Sequence, residues 1–184
     1  MLRIPISITF ILICSLIYWC GFALNMRLFE ASNFSAGVNW VFLPAGLRLL
    51  LVLIFGIYGA VGVSVASIYI GWEDFFPNDH FTALVSGLIS GFSPYVARVF
   101  ILNKTRLSDS LNNLGPKSLL ICICIFAFIS PLFHQIWFYT KGYTDNFGAS
   151  LGVMIIGDLI GSLIVVYAAK SIITMKQLIP TKKY

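Results

Sequence analysis

Six runs of apolar residues, separated by short polar segments, limit what this chain can fold into. A helix that crosses a bilayer needs about 20 mostly apolar residues, because a rise of about 1.5 Å per residue must cover a hydrocarbon core about 30 Å thick. The pattern therefore predicts an all-α integral membrane protein, a bundle of six transmembrane helices in one polytopic domain over residues 1–184. The predicted spans are 4–24, 39–56, 57–72, 81–102, 118–139 and 149–175.

The composition excludes a separate soluble domain. Hydrophobic residues make up 59% of the chain and charged residues only 10%, whereas soluble domains are about 45–50% apolar and about 25% charged. The chain also lacks the nucleophile-elbow, phosphate-loop and zinc-protease motifs, and His80 and His134 lack metal-site spacing. We therefore expect no enzyme activity, no cofactor, no metal and no nucleic-acid partner.

The distribution of lysine and arginine predicts an orientation. If the N terminus is cytoplasmic, only Arg27 and Lys141 fall in outer segments. The inner segments then hold Arg3, Lys104, Arg106, Lys117, Lys176, Lys182 and Lys183. The outer ends of four spans would carry the tryptophans Trp19, Trp40, Trp72 and Trp137. Positive residues favour the cytoplasmic side and tryptophan favours interfaces, so we expect a multi-pass protein of the cell inner membrane with both termini cytoplasmic.

The second predicted span contains a proline near its start. The second and third spans together cover only 34 residues, where two spans normally take about 40. Proline suits the first position of a helix, so the helix can begin near Pro44 after an extended segment over 38–43. The N–H groups of Ala45 and Gly46 would then face a cavity, as in broken membrane helices that bind anions. The alternative is an ordinary proline kink.

Arg48 and Asp158 are charged residues deep inside predicted spans. Each lies nine residues from the outer end of its span, or about 13 Å below the outer boundary. A charge at the bilayer centre costs at least about 2.5–3.5 kcal/mol, so equal depth and opposite sign predict that the two side chains pair. The pair either only fixes helix packing or lines an outward-facing ligand site. The candidate ligand-binding residues are Arg48, Asp158, Pro44, Gly46, Trp40 and His134.

Glycines recur four residues apart at Gly87 and Gly91 and again at Gly157 and Gly161. This spacing lets helices approach closely. It is compatible with packing inside one chain, with a homo-oligomer or with a membrane-protein partner, besides the surrounding membrane lipids.

The stretch NWVFLPAGLRLLLVLIFGIYGAVG, residues 39–62, resembles the membrane-associated sensor domains of bacterial histidine kinases and diguanylate cyclases. Those domains have a Pro-x-Gly entry helix followed by a glycine-rich hairpin. They usually have about eight helices and an attached output domain, so the resemblance implies a stand-alone sensory relative.

The chain also resembles, in length, helix number and glycine content, the substrate-binding subunits of energy-coupling-factor vitamin transporters. The two resemblances imply a sensory or transport-related module that binds a small ligand, such as an anion, from the outer side. The alternative is a structural or assembly subunit whose Arg48–Asp158 pair only locks the bundle.

Overall fold

The fold, seen in a computed structural model that describes residues 5–35, 37–105 and 115–178, is built from six α-helices, which confirms the all-α prediction. The chain ends, whose cytoplasmic location was predicted, lie outside the described residues. The helices are α1 Ile6–Leu28, α2 Leu43–Phe55, α3 Ile57–Ile70, α4 His80–Thr105, α5 Pro116–Thr140 and α6 Phe147–Leu178. Short elements connect them: a 3-10 turn Glu30–Ser32, strands β1 Asn33–Ser35 and β2 Val38–Asn39, and a π-helical turn Gly71–Phe75.

Among the described residues, four helices are long and apolar enough to cross a membrane: Ile6–Leu28, His80–Asn103, Pro116–Thr140 and Phe147–Ile172. α2 is apolar but has only 13 residues. Large apolar side chains cover much of the outer surface; Ile6 on α1 and Ile164 on α6 are 75% and 51% exposed. Apolar surface on this scale marks contact with lipid or with another protein.

The predicted second span 39–56 is helical only in its later part, in line with the alternative of a helix that begins near Pro44. Residues 39–42 are not helical, and α2 begins at Leu43 with Pro44 in its first turn. The preceding chain forms the small antiparallel hairpin of β1 and β2. Its end enters the bundle, because the Phe42 N–H donates to the carbonyl oxygen of Gly157 on α6 at 3.3 Å.

The start of α2 is held by a side chain from α1. The Leu43 N–H donates to Oδ1 of the buried Asn25 at 3.1 Å, which satisfies a donor that a helix start leaves free. At the other end, Gly56 has φ +58°, a left-handed conformation that favours glycine. This turn sends the chain directly into α3.

The bundle is assembled through close helix contacts. α3 packs between α1 and α4, α2 packs on α6, and α5 bridges α4 and α6. α1 and α3 run in the same direction, and the Ser15 hydroxyl donates to the Gly62 carbonyl at 2.8 Å. α2 lies against α6 because Gly157 and Gly161 have no side chain to hold off the backbone of residues 39–42.

Candidate functional site: a buried charge network and its cavity

Arg48 on α2 and Asp158 on α6 form a direct ion pair, as their equal depth predicts. Nη2 of Arg48 lies 3.3 Å from Oδ1 and 3.2 Å from Oδ2 of the carboxylate. The two side chains are 2% and 1% exposed. Both ions lose their hydration when they are buried this deeply, so the pair is weak evidence for a net gain in the stability of the fold.

The other amino group of Arg48 extends the network to two more helices. Nη1 donates to Ser90 Oγ on α4 at 3.2 Å, and that oxygen lies 3.3 Å from Nε2 of His134 on α5. Nδ1 of His134 lies 2.8 Å from the Ser130 carbonyl oxygen. A carbonyl only accepts, so we assign the proton to Nδ1. In the neutral form of the imidazole, Nε2 then accepts from the Ser90 hydroxyl.

Two aromatic rings lie against the guanidinium of Arg48. Cζ of Arg48 lies 5.4 Å from the ring centroid of Phe42 and 5.5 Å from that of Phe126. Such contacts favour a desolvated cation. The buried Nε–H group of Arg48 has no hydrogen-bond partner among the described residues, so the cation keeps one donor unsatisfied.

A cavity of about 60 Å³ is lined by Arg48 but not by Asp158. The buried Ser86 hydroxyl also has no hydrogen-bond partner within the described ranges. The cavity is lined by Tyr18, Phe22, Gly37, Phe42, Arg48, Ser67, Ile70, Gly71, Phe75, Phe76, Ser86, Ser90, His134, Phe138 and Met154. Its walls combine polar groups with apolar rings, as small-ligand sites do.

Two phenylalanines lie next to each other in the lining of this cavity. The rings of Phe22 on α1 and Phe75 in the π-helical turn are edge to face, with centroids 5.8 Å apart. Both also line a wider depression outside the bundle, of about 770 Å³. π-Helical turns are frequent at functional sites.

The candidate ligand-binding residues from the sequence lie in three places. Arg48 and His134 line the cavity. Asp158 pairs with Arg48 but does not line the cavity. Pro44 and Gly46 are buried in α2; Gly46 faces Gly161 and Val165 of α6 and not the cavity. Trp40 is 45% exposed and packs its ring edge to face with Phe34.

The expectation that the N–H groups at the start of α2 face a cavity is wrong for Ala45. Its N–H donates to the Phe42 carbonyl oxygen at 3.0 Å. With the Leu43 N–H bound to Asn25 and no N–H on Pro44, the first turn has few donors to offer. The positive group at this site is therefore the Arg48 side chain, not the helix terminus.

Sequence reasoning missed the serines of the site. Ser86 and Ser90 lie four residues apart on α4 and face the same cavity. Serine is common in apolar helices, where its hydroxyl often bonds to the carbonyl of its own helix. The four-residue spacing was the available signal. Among the described residues, no group of three or more His, Cys, Asp or Glu side chains could hold a metal ion.

No family model, no curated protein and no solved structure matches this chain.

Proposed function

We propose that this is a multi-pass inner-membrane protein with six spans and cytoplasmic termini, which binds a small ligand such as an anion from the outer side in the cavity beside Arg48. It would act as a sensory or transport-related module. The orientation is supported by the excess of lysine and arginine in one set of loops. The cavity lies towards the outer side in that orientation, because Gly37 and Phe76 of the outer connections line it.

The observation that carries the proposal is a buried cation with only part of its hydrogen-bonding capacity used inside the protein. Nη1 and Nη2 of Arg48 are engaged, whereas Nε–H has no partner among the described residues. Burying a donor without a partner costs about 1–3 kcal/mol. A ligand that accepts a hydrogen bond there would recover part of that energy.

The cavity volume limits the ligand. About 60 Å³ is room for a few water molecules or an ion of similar size, since one water occupies about 30 Å³ of the liquid. Drug-sized ligands need about 300 Å³ or more. Vitamin-sized substrates would therefore require the Phe22–Phe75 pair to separate.

A thermal-unfolding experiment on the purified full chain tests the proposal, with chloride, nitrate and formate as probes at constant ionic strength. Binding at 100 times Kd stabilises by about 2.7 kcal/mol. We expect one anion to raise the melting temperature of the parent, and Ser86→Leu, which fills the cavity, to remove that response. Equal response of the parent and Ser86→Leu to every anion would contradict a cavity site.

The direct contact between Arg48 and Asp158 also favours a second function, as a structural or assembly subunit whose pair only locks the bundle. The exchange Arg48→Asp/Asp158→Arg separates the two proposals. It keeps an ion pair but moves the guanidinium to α6. The ligand proposal expects a folded protein without anion response. The structural proposal expects parent behaviour throughout, with a stoichiometric membrane partner on copurification.

A further inference from the structure

A groove runs along the outside of the bundle between α1 and α3. It has a volume of about 400 Å³ and an almost wholly apolar lining. Its walls are Leu12, Ser15, Leu16, Trp19, Val65, Ala66 and Tyr69. The exposed Leu12 and Leu16 on one wall face the half-exposed Val65 on the other. It follows α1 from Leu12 to Trp19, about 10 Å at 1.5 Å per residue, which is room for part of an extended hydrocarbon chain.

The groove opens at its outer end into the 770 Å³ depression, because Trp19 and Tyr69 line both. The depression is different in character: it contains Arg27 from α1 and Glu73 and Asp74 from the π-helical turn. None of these three charged side chains makes an ion pair or a hydrogen bond with another residue in 5–35, 37–105 or 115–178. Charges of both signs thus face one space without neutralising each other.

We propose that the groove and the depression together bind one phospholipid with a zwitterionic, amine-bearing headgroup. An acyl chain lies between α1 and α3, the phosphate lies near Arg27, and the ammonium group lies near Glu73 and Asp74. Arginine matches phosphate oxygens well. Two carboxylates against one arginine favour a headgroup that brings a cation and disfavour a headgroup with net negative charge.

The aromatic residues support the same placement. Trp19 and Tyr69 mark the level at which the apolar groove meets the charged depression. Tryptophan and tyrosine favour the boundary between acyl chains and headgroups. Their rings also offer faces to an ammonium group. The chemistry therefore changes from apolar to aromatic to charged along one path, in the order of the parts of a phospholipid.

Native mass spectrometry of the detergent-purified full chain tests the proposal with equimolar phosphatidylethanolamine and phosphatidylglycerol of identical chains. The two lipids differ in the ammonium group. We expect one phosphatidylethanolamine molecule to be retained, with a preference over phosphatidylglycerol of about tenfold. Glu73→Gln/Asp74→Asn should abolish that preference, whereas Asp145→Asn, at another exposed outer carboxylate, should keep it.

Blocking the chain groove gives an independent test. Val65→Trp places an indole in the groove at a half-exposed position, so folding should be preserved. Ile164→Trp, at an equally exposed position on α6, is the matched control. We expect Val65→Trp alone to lose the bound lipid. Equal retention of both lipids by the parent, or equal loss in Val65→Trp and Ile164→Trp, would overturn the proposal; neither outcome bears on the anion cavity.

Discussion

Alanine substitutions at the glycines of α6 should have opposite effects on stability, depending on position. A Cβ at Gly157 would meet the backbone carbonyl oxygen of Asn39, and a Cβ at Gly161 would meet that of Phe42, each closer than real Cβ atoms come to such atoms. A Cβ at Gly152, on the same helix, would meet nothing within 4 Å. Gly152→Ala is therefore the matched control.

The magnitude follows from two terms. Alanine is better than glycine in a helix interior by up to about 1 kcal/mol, and this gain applies at all three positions. Overpacking costs about 1–3 kcal/mol, and at Gly157 and Gly161 it cannot be relieved by rotating a side chain, because the neighbouring atoms are backbone. We expect Gly157→Ala and Gly161→Ala to lower the free energy of unfolding by about 1–2 kcal/mol, and Gly152→Ala to keep or raise it.

Reversible unfolding in mixed micelles of SDS and a mild detergent, followed by circular dichroism, gives these free energies. The comparison tests whether residues 39–42 enter the bundle against α6. Equal stability of Gly161→Ala and Gly152→Ala would refute that arrangement, because a continuous second span beginning at residue 39 would leave a different surface against Gly161.

Two further predictions concern helix starts. Asn25→Ala should lower the free energy of unfolding by about 1–2 kcal/mol in the same assay, because it leaves the Leu43 N–H buried without a partner; an unchanged value would contradict the capping contact. The Thr82 hydroxyl and N–H donate to the Asp79 carboxylate and, with a smaller effect of Tyr143, hold its pKa below the usual value for aspartate. A depressed folded-state pKa gives stability that is present above the unfolded pKa and lost as pH falls through the folded value. Melting temperatures between pH 7 and pH 2.5 should therefore fall less steeply below about pH 4 in Asp79→Asn than in the parent.

The parts of the fold that the sequence predicted are those set by apolar length and by helix geometry. The lengths of the apolar runs predicted the six helical segments, because a segment in hydrocarbon must form its backbone hydrogen bonds within itself. Counting from the outer ends placed Arg48 and Asp158 at one level, because a helix converts residue number directly into depth. Pro44 marked the start of α2, because proline fits the first turn and not the middle of a helix.

The remaining features depend on contacts between distant segments. Asn25 follows the apolar run of α1 and reads as part of a polar loop, yet it is buried because it caps α2. The hairpin of β1 and β2 is too short for an alternating pattern. His134 was predicted as a candidate ligand-binding residue, but its contacts with Ser90 and Ser130 inside the bundle were not predicted. No local pattern encodes these partners.

Arg48 and Asp158 are 110 residues apart in the sequence, so Asp158 is synthesised later than Arg48. At a synthesis rate of roughly 5–20 residues per second, about 5–20 s pass between the synthesis of Arg48 and that of Asp158. A helix of 13 residues is also too short to be inserted on its apolar length alone. During this interval α2 depends on its neighbours α1 and α3, and its final position is set only when α6 brings Asp158 and the two glycines that receive residues 39–42. In the proposed membrane topology, entry of α6 is thus the step that fixes α2 in place.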